Sequence, residues 1–167
     1  YHLQWKQHMG REPRLTDVTN PVFIPNHKAD FNNQGAFSTD YLGKSWTYPD
    51  ASYTERKKIW EDHLLYTQSF FYFLASDPRV PQSVRDDLQR WGRAKDEFVD
   101  NGNWPDQLYV REGRRMLGQY IMRQADLQTD RTKPDSIAMG SYNSDSHNIQ
   151  RVAMPDGSVR NEGDVQV

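Results

Sequence analysis

The sequence predicts an α+β fold, in which a long helix and a shorter one pack on a mostly antiparallel sheet behind an irregular N-terminal segment. Three observations lead there. A capped run of apolar residues at helical spacing occupies residues 52–77, and a shorter run follows as far as Gly92. The rest of the chain breaks short apolar stretches with Gly, Pro and Asn.

Taken in order, the first fifty residues show no sustained period and are interrupted by Pro13, Pro21, Pro25 and Pro49. They read as extended or irregular chain, with "VFIP" (Val22–Pro25) as a candidate strand. Ser52-x-x-Glu55 has the form of a capping box, in which a hydroxyl and a carboxylate satisfy each other's backbone N–H groups. Trp60, Leu64, Thr67, Phe71 and Leu74 then recur on one face until Asp77-Pro78 ends the run, a helix of about 36 Å at 1.5 Å per residue. A second helix is expected from Pro81, with Val84, Leu88 and Trp91 on one face and Gly92 as its stop. After the turn "NGNWP" (Asn101–Pro105), Met116, Gly118, Tyr120 and Met122 alternate with Leu117, Gln119 and Ile121. Because Gly118 would weaken a helix, a strand is expected there, and another over Asp135–Tyr142.

A chain of 167 residues suits a single domain, residues 1–167. Five Trp, nine Tyr and seven Phe stand against only 35% hydrophobic residues, so the core is expected to lean on aromatic rings. Mean hydropathy is −0.98. The net charge of −2 arises from well-mixed signs, so no basic stripe for a phosphate backbone is present and nucleic acid is not expected as a partner. A membrane is not expected either, because no apolar run approaches the ~18 residues of a helical span. The chain has no cysteine, which excludes disulfides and thiolate-held clusters. His2, His8, His27, His63 and His147 form no H-x-H or H-x-x-x-H pair, and no metal site is expected. The chain opens at Tyr1, and an alternation begun at Val165 and Val167 has no continuation, so the sequence reads as a fragment.

Three groups of residues bear on chemistry. In "GSYNSDSHN" (Gly140–Asn148), Asp145 and His147 are two apart; on a strand they share a face, where a carboxylate can orient an imidazole as proton acceptor. The alternative is a turn capped by Asp145 with a structural His147. "REGRR" sets Arg111, Arg114 and Arg115 around Glu112, either an anion clamp or an ion-pair network with Glu112, Asp96 and Glu97. Trp46, Tyr48, Trp104 and Tyr109 lie beside Asn, Asp and Gln, the mixture that binds sugars by ring faces and hydroxyl hydrogen bonds, although core packing would also account for them. Asn32, Asn33, Asp40, Tyr142, Asn143 and Asn148 are further candidates for polar substrate contacts.

Several segments carry a family resemblance: "KADFNNQGAFSTDYLG", "YPDASYTERKKIWEDH", "SDPRVP", "WGRAKDEF", "WPDQLYVREGRRMLGQY", "DSIAMGSYNSDSHNIQR" and "NEGDVQV". In that order, from about Lys28 to Val167, they resemble the middle of FAD-dependent oxidoreductases of bacterial polysaccharide-utilisation contexts, sometimes labelled xanthan-lyase-like. "LYVREGRR" and "GSYNSDSHN" are the most specific. The resemblance implies a larger parent whose other segments bind FAD, with this chain as the inserted substrate or cap domain. It also implies a carbohydrate-derived or similar alcohol as substrate, hydride transfer to the flavin, and His147 as the acid–base residue. Neither G-x-G-x-x-G nor G-x-x-x-x-G-K-[ST] occurs, so the isolated chain is not expected to bind FAD. A non-catalytic carbohydrate-binding or protein-interaction module is the competing expectation.

Overall fold

The computed structural model describes residues 10–33, 39–110, 113–127, 134–140 and 147–163. Helices and antiparallel hairpins are both present, as an α+β chain requires. The sheet, however, is two separate two-stranded hairpins. Where the sequence reads as one unit, the chain divides into two compact ones, Tyr1–Arg111 and Glu112–Val167.

In the first unit, a 3-10 turn at Leu15–Asp17 leads into β1 (Thr19–Ile24), which pairs antiparallel with β2 (Lys28–Asn33). The "VFIP" segment therefore lies in and just after β1. Pro25, Asn26 and His27 make the connection, and Asn26 and His27 both take left-handed backbone, at φ 65° and 58°. That conformation is ordinary for Asn and costs other side-chain-bearing residues about 1 kcal/mol.

The long helix α1 (Tyr53–Ser76) forms as its signals predict. The Ser52 Oγ accepts from the Glu55 N–H at 3.3 Å, and the Glu55 carboxylate accepts from the Ser52 N–H at 2.8 Å and from its hydroxyl at 2.7 Å. These hydrogen bonds also hold the Glu55 carboxyl below its usual range. At the other end the Asp77 N–H closes on the Phe73 carbonyl before Pro78 stops the helix. Trp60, Leu64, Thr67 and Phe71 are half-buried and Leu74 is buried, while Leu65 and Tyr72 face outward. Trp60 is thus on the expected face without being fully enclosed, and its indole N–H donates to the Pro105 carbonyl at 3.1 Å.

The short helix α2 (Gln82–Leu88) starts behind Pro81 and ends four residues before Gly92, its last turn tightened by the Trp91 N–H on the Leu88 carbonyl. It is strapped to the N-terminal segment. Ser83 Oγ donates to the Pro13 carbonyl at 2.6 Å, and the Asp87 carboxylate accepts from Arg14 Nη2 at 2.6 Å and the Leu15 N–H at 3.3 Å.

Leu15, Val18, Leu74, Val80, Val84 and Leu88 make the core, and Phe31, Phe70, Phe71, Phe73, Ala75 and Trp91 pack against it from partly buried positions. The enclosed apolar residues are therefore aliphatic, with the aromatic rings forming a shell. These rings form a continuous path, from Tyr41 stacked on Tyr66 at 4.3 Å to Phe31 meeting Phe71 at 5.5 Å and Trp91 at 5.1 Å, both edge-on.

In the second unit β3 (Gln150–Ala153) pairs antiparallel with β4 (Val159–Glu162). The turn "PDG" between them is closed by the Asp156 carboxylate, which accepts from the Ser158 N–H at 2.9 Å and hydroxyl at 2.7 Å, and by Gly157 at φ 81°. The expected strand over Met116–Met122 does not form: the described residues 113–123 carry no strand, and Met116, Leu117, Tyr120, Ile121 and Met122 are all exposed. Alternation specifies a strand only when one of its faces has something to cover it, and neither face here is covered. The chain instead enters a single helical turn, α3 (Gln124–Leu127), whose Asp126 carboxylate accepts from the Arg123 N–H at 2.9 Å. Nor does Asp135–Tyr142 form the expected strand in its described part. Pro134 and Asp135 turn, residues 136–140 are irregular, and Ile137 and Met139 are fully exposed. Val165 and Val167 lie outside the described residues.

Candidate functional site

A cleft of about 830 Å³ opens in the first unit, between the β1–β2 connection, the C-terminal half of α1, the end of α2 and the loop after Gly92. Its apolar wall is Phe31, Phe71, Trp91 and Trp104. Phe31 points there because alternation along β2 sends it to the face that meets α1, whereas Asp30 and Asn32 project from the other face. Trp91 meets Phe31 in a T-shaped contact and Phe23 in a tilted one, with centroids at 5.1 and 5.8 Å.

The polar wall is built by the loop over residues 92–104. Phe98, Gly102 and Asn103 take left-handed backbone (φ 48°, 62° and 63°), which folds the loop on itself, and the Asn103 N–H closes on the Phe98 carbonyl at 2.8 Å. The Asn103 side-chain amide then donates to the backbone carbonyls of Glu97 at 2.8 Å and Lys95 at 3.4 Å, fixing that stretch of main chain. The Arg93 guanidinium lies over the Trp104 ring at 5.5 Å and donates to the Gly102 carbonyl. Lys28 Nζ bridges Asp96 at 2.9 Å and Glu97 at 2.5 Å. Hydrogen bonds to Asp96 and Glu97 hold the ammonium pKa above its usual value, and the Asp96 carboxyl is correspondingly lowered by Lys28. Gln89 donates one amide N–H to the Ala75 carbonyl at 2.9 Å, and Gln68 also lines the cleft. Apolar ring faces opposed to a few placed polar groups are what small-molecule sites of roughly 300–1,000 Å³ provide.

Of the residues singled out from sequence, Trp104 stands in this wall. Asn32 pairs with Asn20 on the far face of the hairpin, Asn33 ends β2 opposite Thr19, Asp40 is half-buried and Tyr109 is exposed. Asp96 and Glu97, considered as partners for the "REGRR" arginines, hold Lys28. Arg114 and Arg115 are exposed in the second unit, and Arg111 and Glu112 lie outside the described residues. His147 and Asn148 are half-buried immediately before β3, while Tyr142, Asn143 and Asp145 lie outside the described residues. Sequence reading missed Phe31, Gln68, Trp91, Arg93 and Lys95 as a group, because three separate stretches of chain contribute them. The "NGN" run before Trp104 was the available signal, since it marks a loop that needs left-handed backbone.

No group of metal-ligating side chains occurs among the described residues. Nor do they fit the pyrophosphate of a dinucleotide. The N-terminus of α1 is already closed by the Glu55 carboxylate, and no described strand runs through a glycine-rich turn into a helix. Titrating FAD against the 167-residue protein is expected to give no sub-micromolar binding; saturable quenching of the flavin at that level would overturn this assignment.

The first unit is thus a small α+β scaffold carrying a concave, aromatic-walled cleft. The protein that carries it belongs to the FAD dependent oxidoreductase family, whose model matches residues 1–167. No curated protein and no solved structure matches the chain.

Proposed function

We propose that this chain is the substrate-handling part of an FAD-dependent oxidoreductase acting on a carbohydrate-derived alcohol, in the manner of the polysaccharide-utilisation enzymes it resembles. FAD, the acceptor of hydride from that alcohol, is assigned to an FAD-binding part of the same parent enzyme, since the described residues do not fit it. The cleft in the first unit is the sugar-binding subsite of this reading. Independently of the cleft, the sequence run Gly140–Asn148 and the family resemblance suggest His147 as proton acceptor, with Asp145 orienting it. The observation that carries the substrate class is the pairing of Trp91, Trp104 and Phe31 with the Gln68 and Gln89 amides in one cleft. Sugar rings offer an apolar face to an aromatic ring and equatorial hydroxyls to amides. The same cleft would serve a non-catalytic carbohydrate-binding module, and membership of an oxidoreductase family favours the enzyme.

The test is a titration of the chain with monosaccharides, followed through the indole N–H resonances. Trp91 and Trp104 should shift at millimolar sugar, and Trp104→Ala should weaken binding by about tenfold, the loss of one aromatic platform of roughly 1.4 kcal/mol. Indole resonances that stay fixed across the titration would remove the cleft as a sugar site.

A further inference from the structure

We infer that the ligand of this cleft is an acidic sugar, its carboxylate taken by Lys95 and Arg93. The inference rests on the reading of the cleft as the substrate site and names the class of substrate.

Its ground is the way charge is distributed over one wall. Three cations, Lys28, Arg93 and Lys95, line the cleft together with the carboxylate of Asp96, and Glu97 lies beside it. The two carboxylates are both engaged by Lys28. Neither Arg93 nor Lys95 has a carboxylate partner among the described residues: Arg93 is committed to a backbone carbonyl and an indole face, and only the backbone of Lys95 is bonded. The wall therefore keeps two cations without a carboxylate partner and a formal surplus of one positive charge, three cations against two carboxylates, in a chain whose formal net charge is −2. Their placement is built, because the Asn103 amide fixes the main chain at Lys95 and Trp104 supports the guanidinium. A guanidinium stacked on an indole still presents N–H groups at its edge, the geometry for a carboxylate. A hydroxylated ring bearing one carboxylate, a hexuronate unit, matches the ring faces, the amides and the cations together.

The experiment compares glucuronate with glucose by calorimetry and indole shifts on the 167-residue chain, with Lys95→Gln and Arg93→Gln as variants. At low salt glucuronate should bind about tenfold more tightly than glucose, the worth of one charge-assisted contact, and the advantage should shrink as salt screens the exposed charges. Lys95→Gln should remove most of that advantage; its side chain is solvent-exposed, so folding is not at stake. Equal affinities for the two sugars would overturn the acidic-sugar assignment and leave the carbohydrate cleft standing. Tight glucuronate binding that both variants retain would overturn it as well, by placing the carboxylate elsewhere. Binding of neither sugar would overturn the cleft reading and this inference with it.

Discussion

Leu74→Ala is expected to destabilise the first unit by about 3 kcal/mol, within the 2–5 kcal/mol usual for truncating an enclosed leucine. Leu74 is 3% exposed in the last turn of α1, within a core cluster that includes Val80, Val84 and Leu88 from the following segment and Leu15 and Val18 from the N-terminal strap. The cluster of buried apolar side chains around Leu74 is small, Leu15, Val18, Val80, Val84 and Leu88, so few neighbours can collapse into the space left behind. A loss of this size is a large fraction of the roughly 5–15 kcal/mol that holds a domain folded. Denaturant unfolding followed by tryptophan fluorescence measures it, since Trp91 packs directly on the core. Leu74→Met, which nearly conserves volume, should cost less than about 1.5 kcal/mol. Tyr72→Ala, two residues away and 75% exposed, should change stability by no more than about 0.5 kcal/mol. A Leu74→Ala variant as stable as Tyr72→Ala would mean that α1 and α2 do not share this core.

In the flavin-loaded parent enzyme, His147→Ala is expected to lower the rate of flavin reduction by substrate about 100-fold while leaving the bound flavin spectrum intact. General acid–base contributions are typically ~10²–10⁴-fold, and removal of a hydroxyl proton as hydride departs is a step that needs such a base. The backbone at Ile149, two residues after His147, is held in place. Ile149 N–H bonds to the Glu162 carbonyl at 2.8 Å, and Gly163, at φ 92°, lies so close to Ile149 that an added Cβ would come within 2.5 Å of its side chain. The half-buried His147 is thus set two residues upstream of a locked strand crossing. Asp145→Asn should act in the same direction but more weakly, as expected of a residue that orients the imidazole. Single-turnover flavin reduction at the parent rate in His147→Ala would reduce this run to a structural turn. A folded His147→Gln variant, with flavin bound and reduction equally slow, would separate the chemical role from a packing one.

Much of the first unit was legible because its signals are local. A cap, a 3.6-residue period and an Asp-Pro stop all act within a few residues of each other, and α1 runs from Tyr53 to Ser76 between them. The second unit was less legible for the same reason turned around. The alternation at Met116–Met122 resembled a strand, yet a period of two has meaning only against a neighbouring strand and a covered face. The hairpin that did form, Gln150–Glu162, was announced only by its Pro-Asp-Gly turn, between strands of four residues with little apolar content.

The amino-acid sequence by itself determined the helices of the first unit, the α+β class and the absence of cysteine chemistry, all properties of composition or of neighbouring residues, and its successive segments carried the resemblance to FAD-dependent oxidoreductases. Only the tertiary structure decided which residues share a cleft. Trp104 was one aromatic among twenty-one until the fold set it beside Trp91, Phe31 and Gln68, residues from 13 to 73 positions away. Lys28, Arg93 and Lys95 were likewise three members of a well-mixed charge pattern. Which cation is neutralised and which remains available depends on distances between side chains far apart in the chain, and pairing over such separations is set by packing, because charge interactions fall off within angstroms.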